Sequence, residues 1–292
     1  MDSTILVTGV NGQVGYELLR TLQGLGRVVG LDRAALDLDS PDAIRRVVRE
    51  VKPTIIVNPA AYTAVDKAES DVEGAQRLNV DAPAVLAEEA KRLNAALVHY
   101  STDYVFDGTK DTPYVETDAV NPQNVYGRTK LEGEQAIAAS GCDHLILRTS
   151  WVYGTRGKNF LLTMLKLGAE REELSVVADQ IGAPTWSRTI ATSTAHVLAQ
   201  ATRSADRGQW WAQQSGVYHL TAGGATSWHG FAEAIFELSS LAKRPVVKPI
   251  PASSYPTPAT RPTNSRISND KFAAAFGVRA PDWREALALC MQ

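Results

Sequence analysis

Three side chains of this sequence have the types and spacing needed to deliver a proton to a carbonyl group, namely Thr102, Tyr126 and Lys130. Tyr126 and Lys130 are four residues apart, so on a helix their side chains share one face. Because a nearby ammonium ion favours the phenolate, we expect Lys130 to lower the pKa of Tyr126, whose phenol would give its proton to a carbonyl oxygen while hydride reaches the carbon. The alternative interpretation of such a pair is a solvated helix surface.

The elements that must position these residues follow an alternating pattern. Short apolar, β-branched runs predict strands at residues 4–8, 28–31, 55–58, 97–101 and 145–149, with helical stretches between them. Such alternation predicts parallel strands joined by right-handed crossovers, a doubly wound α/β sheet of the Rossmann type. Thr102 comes directly after the fourth strand, where ligands bind in such sheets, and its hydroxyl could hydrogen-bond a substrate carbonyl.

A glycine-rich turn follows the first predicted strand. Gly9, Gly12 and Gly15 precede a helical stretch over residues 13–25, and the second strand ends at Asp32. Glycines let the chain turn sharply and let a pyrophosphate approach the helix start, and the carboxylate could accept hydrogen bonds from an adenosine ribose. The pattern indicates dinucleotide binding, although its G-x-x-G-x-x-G spacing leaves a plain strand-to-helix turn as the alternative.

The composition excludes several classes of function. The chain has 292 residues, 44% of them hydrophobic, and a formal net charge of -2, so no long-range field favours nucleic acid or an anionic membrane. It has two cysteines, too few for a disulfide framework, no leader-like N-terminus and no spanning apolar segment. We therefore expect a cytoplasmic protein that has no nucleic-acid or membrane partner.

The alternating rhythm ends at about residue 152 and divides the chain into two lobes. We predict a dinucleotide-binding Rossmann domain over residues 1–152 and a smaller α/β substrate-binding lobe over residues 153–292, with segments returning to the first domain. Six prolines in residues 245–262 favour an ordered, extended segment. This segment carries Arg261, whose guanidinium group suits a diphosphate, with a structural or solvated arginine as the alternative.

The glycine pattern with Thr102, Tyr126 and Lys130 resembles the extended short-chain dehydrogenase/reductases, and longer stretches resemble one family among them, the dTDP-4-dehydrorhamnose reductases. These stretches are NPAAYTAVDKAE at 58–69, STDYVFDG at 101–108, NVYGRTK at 124–130, RTSWVY at 148–153, DQIGAPT at 179–185 and RPTNSR at 261–266. The resemblance runs through nearly the whole chain. It implies NAD(P)H-dependent reduction of the C4 ketone of dTDP-4-dehydro-L-rhamnose to dTDP-L-rhamnose, the last step of dTDP-rhamnose biosynthesis for bacterial surface polysaccharide.

The resemblance also implies which residues meet each ligand. The catalytic residues would be Thr102, Tyr126 and Lys130. The cofactor residues would be Gly9, Gly12, Gln13, Val14 and Gly15 at the pyrophosphate, Asp32, Arg33, Asp37 and Leu38 after the second strand, Ala60, Ala61 and Tyr62 after the third, and Tyr126 and Lys130. The sugar nucleotide, the expected small-molecule partner, would meet Thr102, Asp103, Trp151 and Arg261. The five histidines show no ligand spacing and are interpreted as structural.

Cofactor preference and metal use are two further expectations. Asp32 disfavours a 2′-phosphate whereas Arg33 could attract one, so the expected cofactor is NADPH or NADH. Some members of the family are dimers bridged by Mg²⁺, and Glu17 matches one of the bridging carboxylates. The other matching positions, near Arg188 and Thr192, carry no acid, so we expect a homodimer to be allowed but no metal site or Mg²⁺ requirement.

Two other functions stay open from the residues. A sugar-nucleotide 4-epimerase or 4,6-dehydratase would use the same fold and return the hydride to its substrate. A dehydratase needs an acidic pair, but Asp103 is followed by Tyr104 and no glutamate. The second alternative is a regulatory subunit that binds dinucleotide without turnover and has no need of an intact Thr102, Tyr126 and Lys130.

Overall fold

A parallel β-sheet of six strands lies at the centre of the protein. The computed structural model describes residues 3–292. Its strands are β1 Thr4–Val7, β2 Arg27–Gly30, β3 Ile55–Asn58, β4 Ala96–Thr102, β5 His144–Thr149, β6 Val152–Tyr153, β7 Glu173–Val177, β8 Ile181–Gly182, β9 Thr185–Trp186, β10 Gly216–His219, β11 Thr226–Ser227 and β12 Val246–Ile250. Six of them pair in parallel in the order β10-β5-β4-β3-β1-β2. The predicted doubly wound α/β sheet is confirmed.

Twelve α-helices accompany the strands within residues 3–292. They are α1 Gln13–Thr21, α2 Pro41–Val51, α3 Val65–Ala68, α4 Val72–Gln76, α5 Ala82–Leu93, α6 Val125–Ser140, α7 Phe160–Glu170, α8 Ser187–Arg203, α9 Arg207–Gln214, α10 Trp228–Leu238, α11 Asp270–Phe276 and α12 Trp283–Cys290. A π-helical turn spans Arg77–Asp81, and short 3-10 helices span Asp103–Val105 and Ala252–Ser254. The first helix ends before the predicted residue 25, because the chain turns into β2 through two glycines of positive φ, Gly24 and Gly26.

Alternate residues of each central strand enter two hydrophobic cores, one on each face of the sheet. Ile5 and Val7 of β1 lie in a core with residues of α1, α8 and α11, whereas Leu6 faces the core formed with α2, α5 and α6. The central strands β3 and β4 are buried throughout. Burial on both faces is why these strands read as continuous apolar runs in the sequence.

A second, smaller unit packs around its own core. Tyr153, Leu161, Phe231 and Trp283 lie in this core, which joins α7, α10 and α12 to the parallel pair of β7 and β12. The proline-rich residues 245–262 are extended through β12, and the carbonyl group of Thr260 then accepts a hydrogen bond from the first lobe.

The two lobes share the chain rather than dividing it at one point. Strand β10 pairs with β5 at the edge of the central sheet, and Ile190 of α8 and Phe272 of α11 are buried in the core on one face of that sheet. The predicted division at residue 152 therefore describes where the smaller lobe begins along the chain, and it stays a prediction as a boundary between folding units.

Candidate active site

The predicted ligand residues follow the carboxyl ends of five parallel strands, which lie at one edge of the sheet. Gly9 comes after β1, Asp32 after β2, Ala60 after β3 and Trp151 after β5, while Thr102 is the last residue of β4. The fold thus brings together residues that are distant along the chain. The contacts of each residue determine which ligands and which chemistry this edge of the sheet can support.

The glycine-rich turn passes close to other backbone at two positions. Gly9 has φ +57°, and a Cβ there would lie 2.8 Å from the Cβ of Ala60. A Cβ at Gly15 would meet the carbonyl oxygen of Gly9. Gly12, in contrast, is exposed and stands at the start of α1 with no side-chain cap, so the first N–H groups of this helix are available to an anion.

Gln13 and Val14 begin α1 beside this turn. The Oε1 atom of Gln13 accepts a hydrogen bond of 2.9 Å from Nδ2 of Asn159. The side-chain oxygen of the same asparagine caps α7 of the smaller lobe. Val14 packs against the core beneath the sheet. The predicted pyrophosphate site therefore lies where the two lobes meet.

The segment after β2 carries three acidic side chains and one basic side chain, Arg33. The Asp32 carboxylate accepts hydrogen bonds from the backbone N–H groups of Ala34 and Ala35, at 3.1 and 3.0 Å, through one oxygen, and its other oxygen is 3.5 Å from Asn11 Nδ2. Arg33 is exposed, and its guanidinium group lies 3.1 Å from Asp39 and 3.9 Å from Asp37. Asp32 is thus fixed by its own turn, whereas Arg33 lies on the surface.

Leu38 and the residues after β3 differ in how deeply their side chains are buried. The side chain of Leu38 is buried in the core formed with α2 and α5, so a cofactor contact from this residue would come from its backbone. Ala60, Ala61 and Tyr62 are half-buried, and the backbone N–H of Tyr62 donates to Asn79. These three residues lie next to the glycine-rich turn, as the close approach of Ala60 to Gly9 shows.

Thr102 and Tyr126 lie beside each other at the end of β4. The Thr102 hydroxyl donates to Asp103 Oδ1 at 3.0 Å and accepts from the backbone N–H of Tyr104 at 3.2 Å. The ring of Tyr126 meets that of Tyr104 edge to face, with centroids 5.6 Å apart. Burial raises the pKa of Tyr126 to about 12, although the Thr102 hydroxyl favours the phenolate.

Lys130 contacts a different group from the one predicted. Its Nζ atom is 2.9 Å from His99 Nε2 and donates to the carbonyl oxygen of Tyr100 at 2.6 Å. Burial lowers the pKa of Lys130 to about 8, against the charge of Glu134. The expectation that Lys130 would lower the pKa of Tyr126 was wrong in direction, because the cost of burying a phenolate dominates.

Asp103 is buried next to Thr102. Its Oδ2 atom has no hydrogen-bond partner among residues 3–292, and burial raises its pKa to about 6. A carboxyl group that is short of partners at this position can bind a further donor, such as a sugar hydroxyl.

Trp151 has a strained backbone and a defined ring environment. Its φ is +46°, an uncommon value for a bulky residue, and its indole stacks on Trp228 with centroids 3.5 Å apart. A Cβ on Gly182 would lie 2.5 Å from the same indole, so only glycine fits there. Strain of this kind persists where the surroundings hold it, commonly at ligand sites.

Arg261 already has an acidic partner. Its two terminal nitrogens are 3.0 and 2.9 Å from the two oxygens of Asp66, a bidentate ion pair that joins the proline-rich segment to α3. The neighbouring Arg266 donates to Asn264 and to the carbonyl oxygen of Asp111. The diphosphate contact of Arg261 stays a prediction, since the guanidinium group would have to share or leave Asp66.

Comparisons with known proteins agree on one family. The family model described as the RmlD substrate binding domain matches residues 3–292. The dTDP-4-dehydrorhamnose reductase of Burkholderia thailandensis is 54% identical over 99% of this chain and 98% of its own length. The chain belongs to the dTDP-4-dehydrorhamnose reductase family. The family member of Escherichia coli K12 is 45% identical over 96% of this chain and 94% of its own length.

A solved structure of the same family extends this agreement to the fold. The dTDP-4-dehydrorhamnose reductase of Bacillus anthracis, solved in complex with NADP, superposes with a TM-score of 0.91 at 33% identity, covering 99% of each chain. The resemblance inferred from the sequence motifs is therefore confirmed.

Sequence reasoning missed three contacts in this family member. His99, interpreted as structural, contacts Lys130; burial lowers the pKa of His99 well below its ordinary value, and the charge of Lys130 adds to the effect. Trp228 stacks on Trp151 from the smaller lobe, and Asp66 holds Arg261. His99 and Thr102 lie three residues apart in one strand and so point to opposite faces of the sheet, which is why strand spacing gave no signal for the contact with Lys130. The other two contacts depend on tertiary packing.

The structure also locates the positions considered for a metal. Arg188 and Thr192 lie on α8, and Glu17 lies on α1. Within residues 3–292 there is no group of three or more His, Cys, Asp and Glu side chains arranged to hold a metal ion. No helix in that range is long and apolar enough to cross a membrane.

Proposed function

We propose that this protein uses NADPH or NADH to reduce the C4 ketone of dTDP-4-dehydro-L-rhamnose, giving dTDP-L-rhamnose. The observation that carries the proposal is the 54% identity to the Burkholderia thailandensis reductase over 99% of the chain. The geometry supports it, because Thr102 and Tyr126 lie together at the ligand-binding edge of the sheet, with Lys130 on the same helix as Tyr126.

The turn after β1 fits the pyrophosphate of a dinucleotide. Gly12 is exposed, the start of α1 lacks a side-chain cap, and glycines at positions 9 and 15 permit the close packing of the turn. Gly12, Gln13 and Val14 would hold the pyrophosphate, and the Asp32 carboxylate would bind the adenosine ribose. When bound, the reduced cofactor supplies the hydride that adds to C4.

The side chains of the protein supply and stabilise the proton for the same carbonyl group. The O–H bond of Tyr126 breaks as its proton passes to the ketone oxygen, and a hydroxyl forms there. A pKa of about 12 keeps the phenol protonated at neutral pH, as a proton donor requires. The Thr102 hydroxyl would turn from Asp103 to donate a hydrogen bond to the ketone oxygen, and the charge of the Lys130 ammonium would stabilise the phenolate left behind.

The remaining ligand residues would position the sugar nucleotide. Asp103, with a carboxyl oxygen free of partners, would accept from a sugar hydroxyl. The stacked indole of Trp151 offers apolar area and an N–H donor. Arg261 would meet the diphosphate, in competition with Asp66.

The direct test follows the loss of NADPH or NADH absorbance with enzymatically generated dTDP-4-dehydro-L-rhamnose and identifies the product by chromatography. We expect oxidation of one cofactor molecule for each dTDP-L-rhamnose formed. Conversion of a sugar nucleotide without net oxidation would indicate an epimerase or a dehydratase. Dinucleotide binding without turnover would indicate the regulatory subunit.

Location and assembly are further proposals. The reaction draws on soluble dinucleotide and sugar nucleotide, so we place it in the cytoplasm. Formation of a homodimer follows from the family resemblance, and analytical ultracentrifugation of the purified protein would measure it.

A further inference from the structure

A chain of buried hydrogen bonds leads from the catalytic lysine across the sheet. Lys130 Nζ is 2.9 Å from His99 Nε2, His99 Nδ1 is 3.1 Å from Asn58 Nδ2, and Asn58 Oδ1 is 2.6 Å from Thr8 Oγ1. Each of these side chains is at most 1% exposed. Four buried polar side chains therefore form a row in which each is bonded to the next.

The strand register places this row of hydrogen-bonded side chains next to the glycine-rich turn that follows β1. Asn58 is the register partner of His99, and the backbone N–H of Thr8 bonds to the strand that ends at Asn58. Thr8, Asn58 and His99 follow Leu6, Ile56 and Leu97 by two residues, and these three leucine and isoleucine side chains enter the core formed with α6. Because Lys130 lies on α6, the row meets the lysine on that face of the sheet.

Counting protons gives two arrangements of the hydrogen bonds between Lys130, His99 and Asn58. A charged Lys130 donates to His99 Nε2, so the imidazole proton lies on Nδ1 and must be accepted by the Asn58 amide oxygen. A neutral Lys130 accepts from Nε2–H, so Nδ1 accepts from the Asn58 amide nitrogen, and the amide oxygen accepts from the Thr8 hydroxyl. In both arrangements, the Tyr100 carbonyl oxygen accepts a hydrogen bond from Lys130.

Accordingly, we infer that His99 is a positioning residue that changes tautomer when Lys130 gains or loses its proton, so that the row of His99, Asn58 and Thr8 keeps the buried amine hydrogen-bonded in both charge states. The change from one arrangement to the other needs a rotation of the Asn58 amide and no change in the charge of His99. Its catalytic meaning rests on the proposed function, in which Lys130 stabilises the Tyr126 phenolate.

The charges around the lysine are compatible with this change. Glu134, one turn further along α6, favours the charged amine, but it is bound by Arg148 of β5 with Nη2 to Oε2 at 2.7 Å. Asp103, after β4, faces Tyr126, and burial raises its pKa to about 6. Burial lowers the pKa of Lys130 to about 8, so its proton is exchanged within an accessible pH range.

Nitrogen NMR of the full-length protein labelled with ¹⁵N-histidine tests the inference without substrate or turnover. The ring nitrogen shifts report which nitrogen carries the proton, and His99→Gln assigns the signals. We expect neutral His99 with its proton on Nδ1 below about pH 8 and on Nε2 above it. His219, also buried but not bound to Lys130, serves as the internal control and should not change tautomer there.

Three results would overturn the inference. His99 could keep one tautomer from about pH 6 to 10, or it could become a charged imidazolium within that range. Lys130→Met removes the titrating amine and should abolish the tautomer change, so a change that persisted in this variant would also contradict it. A tautomer change in a protein without reductase activity would preserve the hydrogen-bond row and refute only the catalytic use of Lys130.

Activity against pH separates positioning from simple packing. His99→Phe keeps a ring but removes the acceptor, so the charged form of Lys130 is disfavoured, and the fall in kcat at high pH should move about one pH unit lower. His99→Gln keeps an acceptor near the Nε2 position, and the fall in kcat should stay within a few tenths of a pH unit of its original position even if the rate is reduced. A loss of rate in both variants with no movement of the profile would show that His99 only packs.

Discussion

Burial makes the Tyr126 hydroxyl a proton donor rather than a ready nucleophile or base. Its pKa of about 12 exceeds that of an ordinary tyrosine because the phenolate would lose solvation at the end of β4. The phenol consequently holds its proton until a carbonyl oxygen gains negative charge beside it. This property suits reduction of a ketone.

Replacing Tyr126 with Phe tests this role. We expect kcat to fall by about 10²-fold or more, because the variant has no proton to give. The dissociation constant for the cofactor should stay nearly unchanged, since the ring is kept. Steady-state assays and fluorescence titration with NADPH measure the two quantities.

Tyr218→Phe provides the matched control. Its hydroxyl donates to the carbonyl oxygen of Gln214 at the far edge of the sheet, and kcat should be unaffected. If Tyr126→Phe reduced the sugar at the original rate, another group would have to be the acid.

Arg33 governs the choice of cofactor in our interpretation of the turn after β2. Its side chain is 80% exposed, and its ion pair with Asp39 lies at the surface. The guanidinium group can therefore exchange Asp39 for a 2′-phosphate. Arg33→Ala should raise the KM for NADPH about tenfold, the effect of one charge-assisted hydrogen bond, and leave the KM for NADH unchanged. Arg46→Ala, an exposed arginine paired with Glu50 on α2, is the control. Equal changes for both cofactors would remove Arg33 from the phosphate site.

At the scale of the element, α6 is held at its first turn by one amide side chain. Asn124 precedes the helix, and its Oδ1 accepts from the N–H of Gly127 at 2.7 Å while its Nδ2 donates to the carbonyl oxygen of Thr260 at 2.8 Å. The same residue thus caps the catalytic helix and ties it to the proline-rich segment. The orientation of Tyr126, two residues further on, depends on this cap.

Asn124→Ala should reduce the free energy of unfolding by about 1 kcal/mol and also lower kcat. Asn124→Asp keeps the acceptor for Gly127 but places a carboxylate oxygen against the carbonyl oxygen of Thr260, so any loss of stability in this variant reports the contact with the proline-rich segment rather than the cap. Urea unfolding followed by circular dichroism measures both variants. Equal stability of the original protein and the alanine variant would mean that the cap contributes nothing.

The regular elements could be predicted because their patterns are local. The buried strands read as apolar runs, and Ser40 followed by Pro41 is a residue pair typical of a helix start, where α2 begins and the Ser40 hydroxyl accepts from the N–H of Ala43. The predicted end of α1 at residue 25 was too late. The positive φ angles of Gly24 and Gly26, which turn the chain into β2, are not visible in the sequence.

The sequence indicated candidate site residues, but it did not indicate which groups those residues contact. Spacing identified Tyr126 and Lys130, but the partner of Lys130 was set by β4, which supplies the His99 ring and the Tyr100 carbonyl group. The ion pair of Asp66 with Arg261 joins residues 195 positions apart, which no local pattern encodes. Contacts of this kind arise only when distant segments pack.

At the scale of the whole molecule, the charge of α8 bears on metal use. Glu17 matches a carboxylate that bridges some family dimers, but the corresponding positions on α8 carry Arg188 and Thr192. A hard divalent ion needs several oxygen ligands and is repelled by an arginine. We predict that excess EDTA leaves kcat unchanged in the NADPH assay. Loss of activity that Mg²⁺ restores would contradict this prediction.

The edge strand β10 has a consequence for the newly made chain. Until Gly216–His219 leave the ribosome, the outer backbone edge of β5 has no partner, and the nonpolar side chains that α11 covers stay exposed for longer still, because α11 comes later in the chain. Early products of synthesis thus present an open strand edge that other chains can pair with. The nascent protein should therefore depend on chaperones for longer than its amino-terminal half alone would suggest.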